Sequence, residues 1–286
     1  MNHILKKYCP RIEFDSYEDF YENFKIDVPE AFNFGFDVVD EWARVEPEKR
    51  ALVWCDDRDE ERTFTFADLS RLSNQAANAF AKLGIGKGDV VMMILRRRWE
   101  YWVCAVALCK LGATIIPASL QLTKKDIVYR ADSARVKAVV CVNDEYVCGQ
   151  MEEALPESPS IENRIIVAGE RDGWTPFDEL IEGESGEFER PTGEGGVTSK
   201  DIMLVYFTSG TTGLAKAVCH NFAHPLGHII TAKYWQQVEE DTLHMSVTDS
   251  GWAKFGWGKI YGQWIAGATI FAYDMYKFVP TKLLQK

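Results

Sequence analysis

The sequence lacks a hydrophobic run long enough to cross a membrane. Its longest unbroken apolar stretch, Tyr101–Cys109, has nine residues, whereas a membrane-spanning helix needs about 20. The amino-terminal stretch MNHILKKYCPRIEFD also lacks an apolar segment of signal-peptide length. We therefore expect a soluble protein that has no membrane span and is not secreted.

Positive charge is also scarce. The chain has 32 Lys and Arg residues against 43 Asp and Glu residues, which gives a formal net charge of −11. Because such a surface repels phosphate backbones, nucleic acid is not expected as a partner. One basic triplet, Arg96–Arg98, follows a strand-like run. A solvated loop is the favoured interpretation of this triplet, and a binding patch is the alternative.

The cysteines lack the spacing of a disulfide framework or a zinc site. There are seven of them, and no two form a C-x-x-C pair. Several lie inside apolar segments, where cysteine behaves as a small hydrophobic residue. This usage is typical of a reducing compartment, and the sequence therefore predicts a cytoplasmic protein.

What the chain does contain is an alternation of strand-like and helix-like segments. Val90–Leu95, Ala113–Ile116 and Ala138–Val142 are apolar runs of strand length. Glu100–Leu111 and Thr123–Ser133 lie between them and have helical length and spacing. Strands that alternate with helices of this length indicate βαβ units. The predicted fold class is α/β, with mainly parallel sheets and flanking helices.

The composition changes in the stretch from Glu182 to Lys200, which is rich in Gly and Glu and nearly free of large apolar residues. Such stretches commonly separate compact units of a chain. We predict a first α/β subdomain over residues 1–190, with an irregular amino-terminal region. Residues 191–286 are predicted to begin a second subdomain.

The segment with the clearest chemistry is TSGTTGLAK, Thr208–Lys216, which follows the apolar strand Ile202–Phe207. Glycines at 210 and 213 allow several backbone N–H groups to converge on one anion. The hydroxyl groups and the Lys216 ammonium add further donors, and hydrogen bonds to a phosphate contribute about 1.5–3 kcal/mol each. The segment predicts a phosphate-binding loop, and a polar hairpin turn is the alternative.

Two better-known phosphate motifs are excluded. A Walker A loop requires Gly-Lys followed by Ser or Thr, whereas this segment reads Ala215-Lys216-Ala217. The glycines of Gly84–Gly88 do not form a dinucleotide fingerprint, because they follow a helix and have the wrong spacing.

The segment Tyr206–His220 resembles the phosphate-binding signature of the AMP-forming, adenylate-forming enzymes, with Ala215 in place of the commoner proline. The resemblance extends beyond this signature. Gly86–Cys141 and Asp249–Phe271 are similar to the corresponding segments of medium-chain acyl-CoA synthetases. The chain is thus expected to be the amino-terminal portion of the large domain of such an enzyme.

This resemblance implies ATP-dependent activation of a short- or medium-chain carboxylic acid to acyl-AMP and then to acyl-CoA. It implies ATP, Mg²⁺ and coenzyme A as cofactors and co-substrates, and a small carboxylic acid as the partner. It places Gly251 and Trp252 beside the acyl pocket. The alternative is plain core packing of Gly251, Trp252, Phe255 and Trp257 around a glycine turn. It assigns the loop over the phosphates to Thr208, Ser209, Gly210, Thr211, Thr212, Gly213, Leu214, Ala215 and Lys216.

The sequence lacks three later features of the family. The later Tyr-Gly-x-Thr-Glu segment, the ribose-binding aspartate and the adenylating lysine have no counterpart, and we therefore assign no catalytic residue. Tyr261–Trp264 imitates the first of these but lacks Thr-Glu and falls in a predicted helix. The expectation is a fragment that is inactive alone and needs a carboxyl-terminal half as its intramolecular partner. The alternative is a non-catalytic nucleotide-binding or interaction protein of the same fold.

Overall fold

The computed structural model of the chain describes residues 2–208 and 215–286, and the strands in these residues form two sheets. In chain order the strands are β1 Arg50–Asp56, β2 Glu61–Thr65, β3 Val90–Ile94, β4 Thr114–Pro117, β5 Val136–Val142, β6 Asn163–Val167, β7 Thr175–Pro176, β8 Ile202–Thr208, β9 Lys216–Asn221, β10 Leu243–Met245 and β11 Thr269–Asp274.

Helices flank both sheets. They are α1 His3–Tyr8, α2 Tyr17–Asn23, α3 Glu41–Val45, α4 Phe66–Lys82, α5 Glu100–Leu111, α6 Lys124–Ala134, α7 Glu145–Ala154, α8 Phe177–Ile181, α9 His224–Ile230, α10 Ala253–Lys259, α11 Tyr261–Ile265 and α12 Pro280–Leu283. Short π-helical segments occupy Gly35–Asp40 and Thr231–Trp235, and 3₁₀ turns occupy Leu155–Glu157 and Gly193–Gly195. No helix among the described residues has the length and hydropathy to cross a membrane.

The larger sheet has seven strands in the order β7-β6-β5-β3-β4-β8-β9. Its pairings are parallel except for the antiparallel β8–β9 hairpin. Strand β3 lies between β4 and β5, so the predicted parallel arrangement of these three strands is confirmed. Every residue of α5 is buried, which explains why apolar residues occupy all of its positions except Glu100 and Lys110.

The smaller sheet has the order β10-β11-β1-β2. Strand β1 pairs in parallel with β11, although the two strands lie far apart in the sequence. A single hydrophobic core contains side chains from both sheets, including Leu52, Val91, Met203 and Ile270. Each sheet draws strands from both sides of residue 190. The division into residues 1–190 and 191–286 stays a prediction.

Threonine caps in the sequence predict two helix starts, at Thr65 and Thr123. Thr65 Oγ1 accepts a hydrogen bond from the Asp68 N–H at 3.1 Å and begins α4, and Thr123 begins α6 in the same way. Two other sequence patterns differ from the structure. The pattern from about Asn221 to Gln236 predicts a helix, but α9 begins at His224, because the preceding residues pair with β8. The glycines before α11 predict a turn, but that stretch contains helix α10.

Candidate functional site

The β8–β9 hairpin carries the predicted phosphate loop at its tip. Thr208 and Lys216 are opposite each other in the register of the two strands, and the Thr208 hydroxyl lies 3.5 Å from the Lys216 carbonyl oxygen. The Lys216 side chain is exposed. Six members of the predicted site lie outside the described residues: Ser209, Gly210, Thr211, Thr212, Gly213 and Leu214.

Helix α6 holds the base of this loop. The Tyr129 hydroxyl donates a hydrogen bond to the Ala215 carbonyl oxygen at 2.9 Å. The Arg130 guanidinium lies 5.1 Å from the centre of the Phe207 ring. Both ends of the loop are therefore fixed to a helix of the larger sheet.

The turn that carries Gly251 and Trp252 lies at the carboxyl end of β4. A Cβ atom on Gly251 would lie 2.4 Å from the Ser119 nitrogen, so only glycine fits there. Because β4 pairs with β8, this turn and the phosphate loop lie at neighbouring strand ends of one sheet. Parallel α/β sheets bind ligands at that edge. The described base of the loop, Thr208, therefore ends the strand next to the one whose carboxyl end contacts Gly251. The binding roles of both segments stay predictions.

Trp252 and Phe255 lie in opposite environments. Trp252 is 64% exposed and precedes α10, so plain core packing does not account for it. Phe255 is fully buried against Tyr101 and Trp102, with ring centres 4.8 and 5.1 Å away. The core-packing alternative thus describes Phe255 and not Trp252.

Three histidines behind the hairpin form a cluster that the sequence analysis did not predict. The rings of His220, His224 and His228 follow one another at centre-to-centre distances of 4.2 and 4.5 Å. The Nε2 atoms of His224 and His228 are 3.1 Å apart, so one ring donates a hydrogen bond to the other. Burial lowers the pKa of His224 to about 3 and that of His228 to about 4, and both are therefore neutral at pH 7. Their four-residue spacing was the available signal.

A cluster of buried charges lies beside the Gly251 turn. Lys259, at the end of α10, is 2% exposed, and burial, with Arg97 nearby, lowers its pKa to about 7. Arg96, Arg97 and Arg98 are mostly buried and each faces a different carboxylate. The interpretation of this triplet as a solvated loop is therefore wrong. Arg98 pairs with the neighbouring Glu100, whereas Arg96 and Arg97 pair with Asp274 and Asp249, which no local pattern connects to the triplet.

Two further features bear on ligand binding. Tyr261–Trp264, which imitates a later family segment, lies in α11 and is buried. The Trp264 indole donates a hydrogen bond to the Ala51 carbonyl oxygen at 3.0 Å, as expected of a core residue. Within residues 2–208 and 215–286, no group of three or more His, Cys, Asp or Glu side chains is arranged to hold a metal ion.

Comparisons with known proteins identify relatives over nearly the whole chain. The family model described as "AMP-binding enzyme" matches residues 39–285. Human acyl-coenzyme A synthetase ACSM3 is 30% identical over 280 residues, which cover 95% of this chain and 47% of that protein. Rat acyl-coenzyme A synthetase ACSM4 is 34% identical over 88% of this chain and 44% of its own length. The chain thus spans about half the length of these relatives.

Two solved structures share the fold. The anthranilate CoA ligase AuaEII, determined in complex with anthranoyl-AMP, matches with a TM-score of 0.78 and 19% identity, over 90% of this chain and 48% of that one. Acetoacetyl-CoA synthetase from Streptomyces lividans matches with a TM-score of 0.75 and 20% identity, over 85% of this chain and 38% of that one. The α/β architecture predicted from the sequence is confirmed.

The predicted cytoplasmic location is wrong. The human and rat relatives above are both named as mitochondrial proteins. The prediction depended on free cysteines, and the structure shows all seven unpaired. Free thiols indicate a reducing environment but do not distinguish one reducing compartment from another.

The family match over residues 39–285 spans most of the chain and leads to one conclusion. The chain belongs to the AMP-binding enzyme family.

Proposed function

We propose that the protein activates a short- or medium-chain carboxylic acid. The acid's carboxylate oxygen attacks the α-phosphorus of ATP, and pyrophosphate leaves. The sulfur of coenzyme A then attacks the acyl carbonyl carbon, and AMP leaves. The observation that carries this proposal is the family match over residues 39–285, which contains both candidate site segments.

The hairpin loop is proposed to hold the β- and γ-phosphates. Thr208, Ala215 and Lys216 form its described base, and the six residues from Ser209 to Leu214 complete it. Backbone N–H groups supply most of the donors, because glycines at 210 and 213 let the backbone approach the phosphates closely. Lys216 adds one exposed cation. Mg²⁺, which neutralises phosphate charge in such reactions, is proposed as the metal.

The Gly251 turn is proposed to lie beside the acid. Gly251 packs on Ser119 at the carboxyl end of β4, one strand away from the phosphate loop. Trp252 is exposed at this edge and offers an aromatic surface to an acyl chain. Coenzyme A is proposed to enter from the same edge, because its sulfur must reach the acyl carbon.

The activity is proposed for the whole protein and not for residues 1–286 alone. This sequence contains no counterpart of the family's adenine-stacking and ribose-binding segments. Positioning of reactants supplies up to about 7–11 kcal/mol in such reactions, and a phosphate loop by itself does not provide it. A carboxyl-terminal half is therefore proposed as the intramolecular partner.

Replacement of Gly210 by Val is expected to impair ATP use more than replacement of Lys216 by Ala. The valine side chain would block the backbone approach and remove several N–H donors together, whereas loss of Lys216 removes one donor worth about 1.5–3 kcal/mol. Acid-dependent pyrophosphate release by the whole protein, measured across ATP concentrations and a panel of acids, gives the comparison.

The matched control is Gly86→Val, because an added Cβ at Gly86 meets no atom within 4 Å. All three variants should keep the wild-type circular dichroism spectrum. Normal ATP dependence in Gly210→Val would show that TSGTTGLAK is an ordinary turn. ATP binding by the wild-type protein without pyrophosphate release for any acid would favour a non-catalytic nucleotide-binding protein.

A further inference from the structure

The middle arginine of the triplet joins elements that are distant in sequence. The Arg97 Nε donates a hydrogen bond to the Tyr273 carbonyl oxygen at 3.1 Å, and Nη2 donates one to the Met275 carbonyl oxygen. The Trp54 indole donates to the Arg97 carbonyl oxygen at 2.9 Å. Arg97 is thereby fixed to the carboxyl ends of β11 and β1.

The remaining guanidinium nitrogen of Arg97 faces the candidate acid-binding turn. Its Nη1 lies 3.5 Å from Asp249 Oδ2, and this is the one ion pair that Asp249 makes within residues 2–208 and 215–286. The other carboxylate oxygen, Oδ1, accepts a hydrogen bond from the Gly251 N–H at 3.1 Å. One carboxylate therefore connects Arg97 to the backbone of the turn.

Within residues 2–208 and 215–286, the other hydrogen bonds of the turn are local to residues 248–255. The Trp252 N–H donates to the Asp249 carbonyl oxygen at 3.2 Å, and Gly251 rests on the backbone of Ser119. The Ser250 hydroxyl is buried and has no hydrogen-bond partner in the described part of the chain. The conformation of the turn thus depends on Asp249, which contacts the Gly251 N–H with one oxygen and Arg97 with the other.

We propose that Arg97 is a positioning residue for the acid substrate. Through Asp249 it holds the Gly251–Trp252 turn at the carboxyl end of β4, where the proposed function places the acid. Arginine suits this task because its planar guanidinium serves two carbonyl groups and one carboxylate at once, which a lysine ammonium cannot do in a fixed plane. The inference rests on the proposed function for the role of the turn and on the contacts above for its geometry.

The geometric part is tested on this chain by hydrogen exchange with mass spectrometry. Arg97→Met is expected to raise the exchange rates of the Gly251 and Trp252 amides at least ten-fold. Arg98→Met is the matched control, because Arg98 lies in the same loop, is similarly buried and pairs with Glu100 instead. An equal rise in both variants, or none in Arg97→Met, would overturn the proposal.

A second variant covers the case in which Arg97→Met does not fold. Asp249→Asn removes the charge from the other side of the ion pair and is expected to raise the same two exchange rates. If both single variants fold, the double variant should exchange no faster than the faster single one, because both changes break one connection. If the increases in exchange rate were additive in the double variant, Arg97 and Asp249 would act on the turn independently, and the proposal would be contradicted.

The substrate part is tested on the whole protein by steady-state kinetics. Arg97→Met is expected to raise KM for the acid at least ten-fold and to change KM for ATP less than two-fold, and Arg97→Lys should recover part of the loss. Equal rises in both KM values would assign Arg97 a structural role only. If the wild-type protein releases no pyrophosphate with any acid, the proposed function fails, and the exchange experiment still decides how Arg97 acts.

Discussion

At the scale of single residues, Lys259 has a buried side-chain amine. It lies at the end of α10 and is 2% exposed. Arg97, Asp249, Asp274 and Cys55 are the ionisable groups that influence it. Burial is the largest influence and lowers its pKa from 10.5 to about 7. Protonation of Lys259 therefore destabilises the folded protein, and the size of this effect depends on the solution pH.

Replacement of Lys259 by Met is expected to stabilise the protein at pH 7. Between pH 7 and 10.5 the unfolded wild-type chain binds more protons at this residue than the folded chain. Wild-type stability should therefore rise with pH across that window, by up to about 1.4 kcal/mol per pH unit. The advantage of the variant should shrink accordingly by pH 10.

Urea unfolding at pH 7, 8.5 and 10 measures these free energies. Lys254→Met is the control, because Lys254 lies on the same helix but is exposed. If the free energies of unfolding of the wild type and of Lys259→Met changed equally with pH, the lowered pKa of Lys259 would be contradicted.

Sequence patterns predicted some residues of the candidate site and did not predict others. The segment from Thr208 to Lys216 could be proposed because its residues are contiguous, and Gly251 could be proposed from the family resemblance. Arg97 and Asp249 are 152 residues apart, so no local pattern connects them. The burial of Lys259 could not be predicted from the sequence either, because it depends on segments from both sheets.

At the scale of helices and strands, glycines set how closely elements approach. Helix α11 contacts α9 through Gly262, where a Cβ atom would lie 2.3 Å from the His228 carbonyl oxygen and 2.7 Å from Ala232. This contact holds the histidine cluster against the core. Gly149 in α7 is the opposite case, because an added Cβ there meets nothing within 4 Å.

Gly262→Ala is expected to destabilise the protein by about 1–3 kcal/mol, since the two helices must separate to admit the methyl group. Gly149→Ala should instead stabilise it by about 0.5–1 kcal/mol, because alanine favours a helix where space is available. Thermal unfolding of both variants gives the comparison. A neutral effect of Gly262→Ala would mean that the helices are less closely packed than described.

The balance between local sequence preference and tertiary contacts explains which helices and strands could be predicted. The βαβ strands were predicted because their apolar runs have strand length and alternate with segments of helical length and spacing. Helix α10 was interpreted as a turn because glycines disfavour helices. Its Gly256 and Gly258 are needed for packing, since added Cβ atoms would lie 2.8 Å from the Tyr206 hydroxyl and 2.9 Å from the Ser246 hydroxyl. Tertiary contacts outweighed local preference there.

At the scale of the whole molecule, the two sheets share one hydrophobic core. Ile270 of β11 is fully buried and belongs to the same core as Val91 of β3 in the other sheet. A shared core couples the stability of its parts, so damage to one sheet should be measurable in the other.

Ile270→Ala is expected to destabilise the protein by about 2–5 kcal/mol through the cavity that it leaves. Amides of β3 should lose protection from hydrogen exchange together with those of β11, because both strands open in one cooperative step. Hydrogen exchange with peptide resolution separates the two strands. Loss of protection confined to β11, β1 and β2 would show that the sheets unfold independently.

The pairing of β1 with β11 has a consequence for the synthesis of the protein. Strand β1 ends at Asp56 and its partner begins at Thr269, so the ribosome adds about 200 residues before the partner exists. At about 5–20 residues per second, β1 waits for roughly 10–40 s with one edge paired to β2 and the other open. The free N–H and C=O groups of an unpaired strand edge can form hydrogen bonds with another chain, which promotes aggregation. During translation, the open edge of β1 is therefore a surface to which a nascent-chain chaperone is expected to bind.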